Sequence, residues 1–428
     1  MVSTYDLKKL SFLVYGLGMT GISVVNFFKK HKIKNYKVWD DKKKHLFKNK
    51  KTSNLSRSLE EADFIVLSPG VSLIKSINKN RLIKYKHKII TDIDLIFLLK
   101  RFLKSIVVTG TNGKSTTCKI LSHVLKKNKF STLLGGNIGI PILNQKISKK
   151  TILIIEASSY QLAHSKFITP DYAFLLNISN DHLDWHGSKK KYINCKFKIF
   201  KHQKNNQFSF INNDLEKEYR QRNFSGRLVI PNIRSYKRLK PKIKNSYLRS
   251  TINDQNMSYV LALTKLFNIS EKSFLRSLTT FVGLPHRYEI FLKRKNCVFI
   301  NDSKATTFEA SKFALKNSKD IYWIVGGLPK KGDSFILKNI KKNIIKSYII
   351  GKNTIFFKNQ IRKHVDYFIA NNLKNAIIKV LKDIRSFKKK HNLILFSPAS
   401  ASFDQYLNFE RRGDEFKKLS KLYARKYI

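Results

Sequence analysis

Residues 105–116 read SIVVTGTNGKST, a β-branched apolar segment that leads directly into a glycine-rich turn. The first half predicts a buried strand, and the second half predicts the turn before a helix. Backbone N–H groups of such a turn can surround phosphates, Lys114 can reach their β and γ oxygens, and Ser115 can hold Mg²⁺. Val108 occupies the place of the first glycine of the strict P-loop pattern. The Gly-Lys-Ser-Thr core still indicates a triphosphate site, with Gly110, Thr111, Asn112, Gly113, Lys114, Ser115 and Thr116 as its residues.

Short apolar segments alternate with longer amphipathic segments along most of the 428 residues. Strands are predicted at 11–15, 36–39, 64–67, 105–109, 151–155, 172–177, 298–301, 321–325, 347–350 and 392–396. Continuous apolar strands separated by helical segments favour parallel sheets that are covered on both faces. We therefore predict an α/β protein with more than one doubly wound sheet. Composition shifts near residues 100–104 and 283–285 predict domain boundaries.

A second glycine motif, GLGMTG at 16–21, follows the first predicted strand, and the next strand ends at Asp40. This spacing is that of a dinucleotide fingerprint, in which glycines allow close approach of a diphosphate and a carboxylate binds a ribose. Taken alone it indicates an NAD enzyme, but any diphosphate nucleotide satisfies the same backbone requirement. A tight strand–helix turn without ligand is the other interpretation. A dehydrogenase has no use for a triphosphate turn, so the two motifs together argue against one.

Polar residues follow the predicted central strands. Glu156 and Asn177 end two of them, where the carboxyl ends of parallel strands border a ligand crevice. Glu156 is therefore a candidate Mg²⁺ ligand. His182 and His186 have the spacing of zinc ligands, but no third ligand is suitably placed, so a single His beside Mg²⁺-bound phosphate is the better interpretation. Asp302 also follows a strand, where it can additionally cap a helix.

The chain is strongly basic, with 85 Lys and Arg against 28 Asp and Glu and a formal charge of +57. Lys accounts for 68 of these and Arg for 17, whereas proteins that read nucleic acid in a groove rely on Arg for bidentate contacts. We interpret the excess as compositional drift, from which non-specific attraction to polyanions follows. The stretch 214–249, with 11 basic and 3 acidic residues, is predicted as a solvated excursion of the middle domain. A specific nucleic-acid patch is the alternative.

The cysteines Cys118, Cys195 and Cys297 are far apart and odd in number, which indicates a reduced protein. The apolar run at residues 10–15 leads into a glycine turn and not into a cleavage site. No apolar run is long enough to span a membrane. We predict a cytoplasmic protein without a membrane span.

Several motifs together resemble those of the Mur ligases, the ATP-dependent ligases of peptidoglycan synthesis. The superfamily signature is GTNGKST at 110–116, which folylpolyglutamate synthetases share. More specific matches are SPG at 68–70, GGNIGIP at 135–141, EASSYQL at 156–162, GLPHR at 283–287, NDSKAT at 301–306, SPASASFDQ at 397–405 and NFERRG at 408–413. Relatives that add meso-diaminopimelate or lysine carry a different loop in place of NDSKAT, so the match is to the branch that adds D-glutamate.

The resemblance implies three domains: a Rossmann-like N-terminal domain at 1–92, a central P-loop-like ATPase domain at 93–283 and a Rossmann-like C-terminal domain at 284–428. It reassigns the first glycine motif from NAD to a UDP-sugar. The implied UDP-substrate residues are Gly18, Met19, Thr20, Asp40, Asp41, Ser68, Pro69, Gly70, Asn137 and Gln161. ATP would also contact Asn256, Arg287 and Asp302. D-Glutamate would contact Lys304, Thr306, Lys330, Ser402 and Phe409, with Lys331 as the alternative to Lys330.

The activity that the resemblance implies is the addition of D-glutamate to UDP-N-acetylmuramoyl-L-alanine through an acyl phosphate, with ATP and two Mg²⁺ ions. Lys114, Glu156, His182 and Lys196 would be catalytic, and Ser115, Glu156, His182 and Lys196 would hold metal. Lys196 matches a family lysine that is carbamylated, which turns a cation into an anionic oxygen ligand. A monomer is expected. The alternatives are a ligase like folylpolyglutamate synthetase and a basic nucleic-acid-binding protein.

Overall fold

The computed structural model describes residues 7–42, 46–99, 102–179, 183–330, 332–387 and 390–428. The chain divides into two compact units, Met1–Phe281 and Val282–Ile428. The first unit contains a four-stranded and a six-stranded sheet, and the second contains a six-stranded sheet. The predicted α/β architecture with several parallel sheets is therefore confirmed. The predicted division of the first unit at residue 92 stays a prediction.

The N-terminal sheet has the strand order β2-β1-β3-β4 and is parallel. Its strands are β1 Phe12–Tyr15, β2 Tyr36–Trp39, β3 Phe64–Leu67 and β4 Ile89–Ile90, and its helices are α1 Met19–Lys30, α2 Leu55–Glu61, α3 Lys79–Lys84 and α4 Asp92–Leu99. Successive residues of β1 belong to different buried clusters, with Val14 in one and Leu13 in another. The strand is apolar throughout because side chains on both faces are covered.

The central sheet has the order β10-β9-β8-β5-β7-β6, with every pair parallel. Its strands are β5 Lys104–Thr109, β6 Thr132–Gly136, β7 Ile152–Glu156, β8 Tyr172–Leu175, β9 Phe208–Ile211 and β10 Arg227–Val229. The helices are α5 Lys114–Lys127, α6 Ser159–His164, α7 Leu183–His186, α8 Lys189–Phe197, α9 Glu216–Arg220, α10 Ile233–Leu239, α11 Ser246–Arg249, α12 Asp254–Leu266 and α13 Glu271–Leu278. One buried cluster contains residues of both sheets, such as Val14 of β1 and Leu153 of β7.

The basic stretch 214–249 is more ordered than predicted. It contributes β10 and three helices, and Tyr236 and Leu248 are fully buried in the core beside α12. The Tyr236 hydroxyl donates to the carbonyl oxygen of Leu248 at 3.0 Å. The prediction of a solvated excursion was wrong because the few apolar residues here are separated by Lys and Arg, whose charged ends reach solvent while the backbone packs.

The sheet of the second unit has the order β11-β12-β16-β13-β14-β15. Its strands are β11 Glu289–Arg294, β12 Cys297–Asn301, β13 Ile321–Gly326, β14 Ile344–Ile350, β15 Tyr367–Asn371 and β16 Asn392–Phe396, and its helices are α14 Phe308–Lys316, α15 Thr354–Ile361, α16 Leu373–Phe387 and α17 Phe409–Tyr427. All pairs are parallel except β11 with β12. The loops after β12, β16 and β13 therefore leave the same edge of the sheet, where ligands of such folds bind.

Helices that could cross a membrane are absent from the described ranges, since none is both long and apolar enough.

Candidate active site

The glycine-rich turn between β5 and α5 is the centre of the candidate site. Gly113 has a φ of +84°, a conformation that glycine adopts without strain. A Cβ atom at Gly113 would lie 2.3 Å from Oδ1 of Asn256 on α12, so only glycine fits this approach. On the other side, the backbone N–H of Asn112 donates to Oδ1 of Asn177 at 2.9 Å. The turn is thus held between the end of β8 and the start of α12, and Asn256 borders it.

Two lysine side chains meet at one carbonyl oxygen of this turn. Nζ of Lys114 and Nζ of Lys196 each donate to the oxygen of Gly110 at 2.8 Å, and Lys114 also donates to the oxygen of Thr111. Lys196 is only 1% exposed. Its Nζ lies 4.7 Å from the ring centroid of Tyr192. Lys196 is therefore a buried residue beside the phosphate turn, whereas the lysine-rich composition alone would suggest a solvated surface lysine.

Tyr192 also belongs to the site, a role that its sequence segment did not assign to it. Its hydroxyl is 2.9 Å from Oγ1 of Thr111, so it joins α8 to the phosphate turn. Tyr192 precedes Lys196 by one helical turn, and residues with this spacing lie on one helix face. That spacing is the signal from which Tyr192 could have been found.

Ser115 and Glu156 form an oxygen-rich pair next to the turn. Oγ of Ser115 donates to Oε2 of Glu156 at 2.5 Å, and Nδ2 of Asn137 donates to Oε1 at 3.0 Å. Glu156 is 2% exposed, so its carboxylate is fixed at the end of β7. A hydroxyl and a carboxylate oxygen are ligands that Mg²⁺ prefers, and this donor set fits that ion.

Beyond Ser115 and Glu156, a Mg²⁺ ion would need further ligands, such as substrate phosphates and water. Within the described residues, no group of three or more His, Cys, Asp and Glu side chains is close enough to hold a metal ion. Mg²⁺ is commonly bound by one or two carboxylates together with substrate phosphates and water, so such a sparse protein shell is compatible with it. The predicted ligand His182 lies outside the described residues.

The acidic residues after β2 fix the N-terminal glycine motif. Oδ2 of Asp40 accepts from the backbone N–H of Leu17 at 2.5 Å. Oδ1 of Asp41 accepts from the Tyr15 hydroxyl and from Nδ2 of Asn78, at 2.9 and 3.0 Å. Both carboxylates therefore hold the turn in shape, and any contact of theirs with a nucleotide stays a prediction.

The remaining UDP-substrate candidates lie on the two turns at the carboxyl ends of β1 and β3. Oγ of Ser68 donates to the oxygen of Gly16 at 2.6 Å and joins these turns. Gly18 and Gly70 are exposed, and the Met19 side chain is 79% exposed. Thr20 and Pro69 are half-buried. The sequence-predicted residues thus surround one exposed edge of the N-terminal sheet.

Gln161 is buried, and its side-chain oxygen and nitrogen both form hydrogen bonds within the protein. Its backbone N–H and side-chain oxygen form a reciprocal capping pair with Ser158 at the start of α6. Its Nε2 donates to Oδ1 of Asp92 at 3.0 Å. Burial and the neighbouring charge of Asp94 raise the pKa of Asp92 from 3.8 to about 6. Gln161 connects α6 to α4, so a direct contact with substrate stays a prediction.

In the second unit, Asp302 follows β12 as a buried carboxylate. Oδ2 accepts from Oγ of Ser397 at 2.8 Å, and Oδ1 accepts from the backbone N–H of Tyr288 at 3.0 Å. Burial raises the pKa of Asp302 to about 7, against a lowering effect of the Arg287 charge. Asp302 and Arg287, both predicted to contact ATP, are therefore neighbours in this unit.

The D-glutamate candidates also lie at the carboxyl edge of the second unit's sheet. Nζ of Lys304 is 3.7 Å from the ring centroid of Phe409, which brings two of the candidates into contact. Ser402 is 2% exposed, and Thr306 and Lys330 are half-buried. Lys331, the alternative to Lys330, lies outside the described residues.

Arg412, on α17, is a buried cation. It lies within the NFERRG motif, which by itself indicated no role for it. It is 1% exposed, and its Nη2 donates to the oxygens of Ser303 and Ser400 at 2.8 and 3.0 Å. It thereby ties the loop after β12 to the loop after β16. Only its place inside NFERRG, next to Phe409, could have pointed to it.

Family models and curated relatives match this chain over most of its length. The model of the Mur ligase middle domain matches residues 108–271, and that of the MurD-like N-terminal domain matches residues 10–89. The UDP-N-acetylmuramoylalanine–D-glutamate ligase of Rickettsia felis is 36% identical over 95% of this chain and 96% of its own length. The enzyme of the same name from Rickettsia prowazekii is 34% identical over 97% of this chain and 98% of its own.

Solved structures agree with the fold. The MurF ligase of Thermotoga maritima, in complex with ADP, has a TM-score of 0.58 at 18% identity and covers 98% of this chain and 99% of its own. The MurC ligase of Thermotoga maritima, a UDP-N-acetylmuramate-alanine ligase, has a TM-score of 0.55 at 15% identity. The match covers 97% of this chain and 100% of the MurC chain. With near full-length relatives above 30% identity, the chain belongs to the Mur ligase family, among the UDP-N-acetylmuramoylalanine–D-glutamate ligases.

Proposed function

We propose that this chain joins D-glutamate to UDP-N-acetylmuramoyl-L-alanine at the cost of one ATP, in the cytoplasmic stage of peptidoglycan synthesis. The observation that carries the proposal is the arrangement at the phosphate turn. Lys114 and Lys196 meet at Gly110, next to the Ser115–Glu156 pair. This arrangement suits a transferring phosphoryl group, and the names of the relatives supply the substrates.

The chemistry requires activation because a carboxylate and an amine do not condense spontaneously in water. The alanyl carboxylate attacks the γ-phosphorus of ATP, the bond to the β-phosphate oxygen breaks, and ADP leaves. The amine of D-glutamate then attacks the carbonyl carbon of the acyl phosphate. The tetrahedral intermediate loses a proton and expels phosphate, which leaves an amide. Lys114 stabilises the charge that accumulates on the phosphoryl oxygens, as lysines of phosphate turns do.

Ser115 and Glu156 would hold Mg²⁺, which when bound neutralises phosphate charge and orients the phosphates. Our proposal includes two such ions, with His182 and Lys196 as further ligands. In that case Lys196 reacts as a neutral amine with CO₂, forming an N–C bond and releasing a proton to leave a carbamate. An ammonium group, with an ordinary pKa of about 10.4, would repel metal ions at this place. The nearly complete burial of Lys196 and its contact with Gly110 of the phosphate turn support a place for this side chain at the phosphates and not at the surface.

The two outer substrates are assigned to different sheets. UDP would bind at the exposed edge formed by Gly18, Met19 and Gly70. D-Glutamate would bind at the carboxyl edge of the second unit, where Lys304 supplies a positive charge and Ser402 a hydroxyl for its carboxylates. The three-domain division at residues 92 and 283 and a monomeric state are part of the same proposal.

An omission assay tests this function. Phosphate release is measured with ATP, Mg²⁺, UDP-N-acetylmuramoyl-L-alanine and D-glutamate, and then with each one left out. The proposal expects release only from the complete mixture. Release that is independent of D-glutamate or of the UDP-substrate would contradict it. A folate substrate that replaces the UDP-substrate would favour the folylpolyglutamate-synthetase alternative, and absence of release under all conditions would favour a nucleic-acid-binding protein.

A further inference from the structure

A cavity lies apart from the residues of the phosphate turn. It is lined by Leu162 on α6, by the segment between α6 and β8, and by the segment that follows α8. Its volume is about 390 Å³. Pockets of roughly 300–1,000 Å³ hold small-molecule ligands. The side chains of Leu162 and Ile168, both almost fully buried, form its apolar part.

The polar part of this cavity is almost entirely cationic. Its basic side chains are Lys166, Lys198, Lys201 and His202. Nζ of Lys166 donates to the oxygen of His87, and Nζ of Lys198 donates to the oxygen of Ala163. Neither these two lysines nor Lys201 forms an ion pair with a carboxylate in the described part of the chain.

Asp94 is the carboxylate whose charge acts on Lys166 and Lys198 and raises the pKa of both. Asp94 accepts from the backbone N–H groups of Thr91, Lys166 and Phe167 at 2.8 to 2.9 Å. Burial lowers the pKa of Lys166, and burial together with the charges of Lys86 and Lys201 lowers the pKa of Lys198. Asp94 therefore offsets only part of the positive charge of the three lysines, and an anion in the cavity would offset the rest.

We propose that this cavity binds a small anion that carries phosphate groups. Several ammonium groups around one enclosed volume match a ligand with more than one negative charge, and lysine is a point-charge phosphate binder. The apolar side chains of Leu162 and Ile168 leave room for an uncharged part of the same ligand. The site is independent of the ligase reaction proposed above, because none of its lining residues belongs to the phosphate turn or to the substrate edges.

Titration with inorganic pyrophosphate by calorimetry, at near-physiological salt, tests the proposal. The wild-type protein is expected to bind at two places, the phosphate turn and the cavity. The variant Lys166→Gln with Lys201→Gln should weaken one of the two by at least about tenfold, since each charge-assisted hydrogen bond contributes that much. It should leave the other binding event and ATP-dependent turnover unchanged.

The matched control is Lys217→Gln with Lys237→Gln, which removes the same charge from two exposed lysines of the same unit. This control should retain both binding events. If the control loses as much affinity as the cavity variant, binding is diffuse attraction to a basic protein and the proposal is wrong. It is equally wrong if the wild-type protein does not bind pyrophosphate, or if the cavity variant retains every binding event at the wild-type affinity. Thermal unfolding checks that each variant folds. If the variant Lys166→Gln with Lys201→Gln does not fold, the single substitution Lys201→Gln, at an exposed position, replaces it in the titration.

Discussion

At the residue scale, the oxygen of Gly110 accepts hydrogen bonds from both Lys114 and Lys196, which places two lysine side chains at one point of the phosphate turn. Local sequence motifs predicted these two residues and Glu156. They did not predict Tyr192 or Arg412, because the importance of these side chains depends on contacts between segments far apart in the chain. Lys196, which is almost completely buried, is therefore the residue of this site that we test first.

We expect Lys196→Ala to lower turnover by at least about a hundredfold, as loss of a charge-stabilising group in an active site does. A small carboxylic acid added to this variant should restore part of the activity by filling the vacated volume with a carboxylate. Turnover of the variant is measured with and without the acid.

Lys198→Ala is the matched control, since Lys198 lies just beyond α8 and bonds to Ala163 instead of the phosphate turn. Its turnover should stay near that of the wild type. Full activity of Lys196→Ala, or an intact mass without the added CO₂ when bicarbonate is present, would rule out the carbamate.

Lys304→Ala should raise the KM for D-glutamate by about tenfold or more and leave the KM for ATP nearly unchanged. The reason is that Lys304, next to Phe409, would pair with a glutamate carboxylate, and a hydrogen bond between charged groups contributes about that much. Steady-state kinetics with each substrate varied separately measures both constants. Equal effects on the two substrates would mean that Lys304 is not part of the amino-acid site.

At the element scale, most central strands were predictable and most edge strands were not, with the predicted edge strand β2 and the missed inner strand β9 as the exceptions. The strands that were missed are β4, β6, β9, β10, β11 and β15, and all except β9 lie at the edge of their sheet. β15 has one buried residue among five, because an edge strand is only partly covered. The pairing of such a strand depends on neighbours distant in sequence, which a local pattern does not show.

Helix α4 gives a pH-dependent test of the packing around Gln161. Because the pKa of Asp92 is raised from 3.8 to about 6, the folded state favours the protonated carboxyl. Its contribution to stability is present below pH 4 and is lost as the pH rises to 6. Asp92→Asn keeps an oxygen acceptor for Gln161 and does not titrate. Relative to the wild type, the variant's free energy of unfolding should increase by about 2 kcal/mol between pH 4 and 7.

Urea unfolding of both proteins at several pH values in this range measures the difference. Groups that do not interact with Asp92 titrate alike in both proteins, so their pH dependence cancels in the difference. A constant difference across the range would mean that Asp92 is not buried as a neutral group.

At the scale of the whole molecule, we expect the formal charge of +57 to have no role in the ligase reaction. Replacing several lysines of the stretch 214–249 with Gln should weaken retention on DNA or RNA at low salt, because counterion release falls with each charge removed. Ligase turnover should be unchanged, since Tyr236 and Leu248 hold this stretch in place through apolar packing. A loss of turnover in proportion to the charge removed would contradict this interpretation.

The proposed reaction is tested most directly by identifying its product. The protein is incubated with ATP, Mg²⁺ and UDP-N-acetylmuramoyl-L-alanine, with either D-glutamate or L-glutamate, and the nucleotide products are analysed by mass spectrometry. The account predicts a UDP-linked product that has gained one glutamyl residue, formed with D-glutamate together with one ADP per product, and little or none with L-glutamate. A gain with both enantiomers alike, or ADP formation without any gain, would contradict the proposed function.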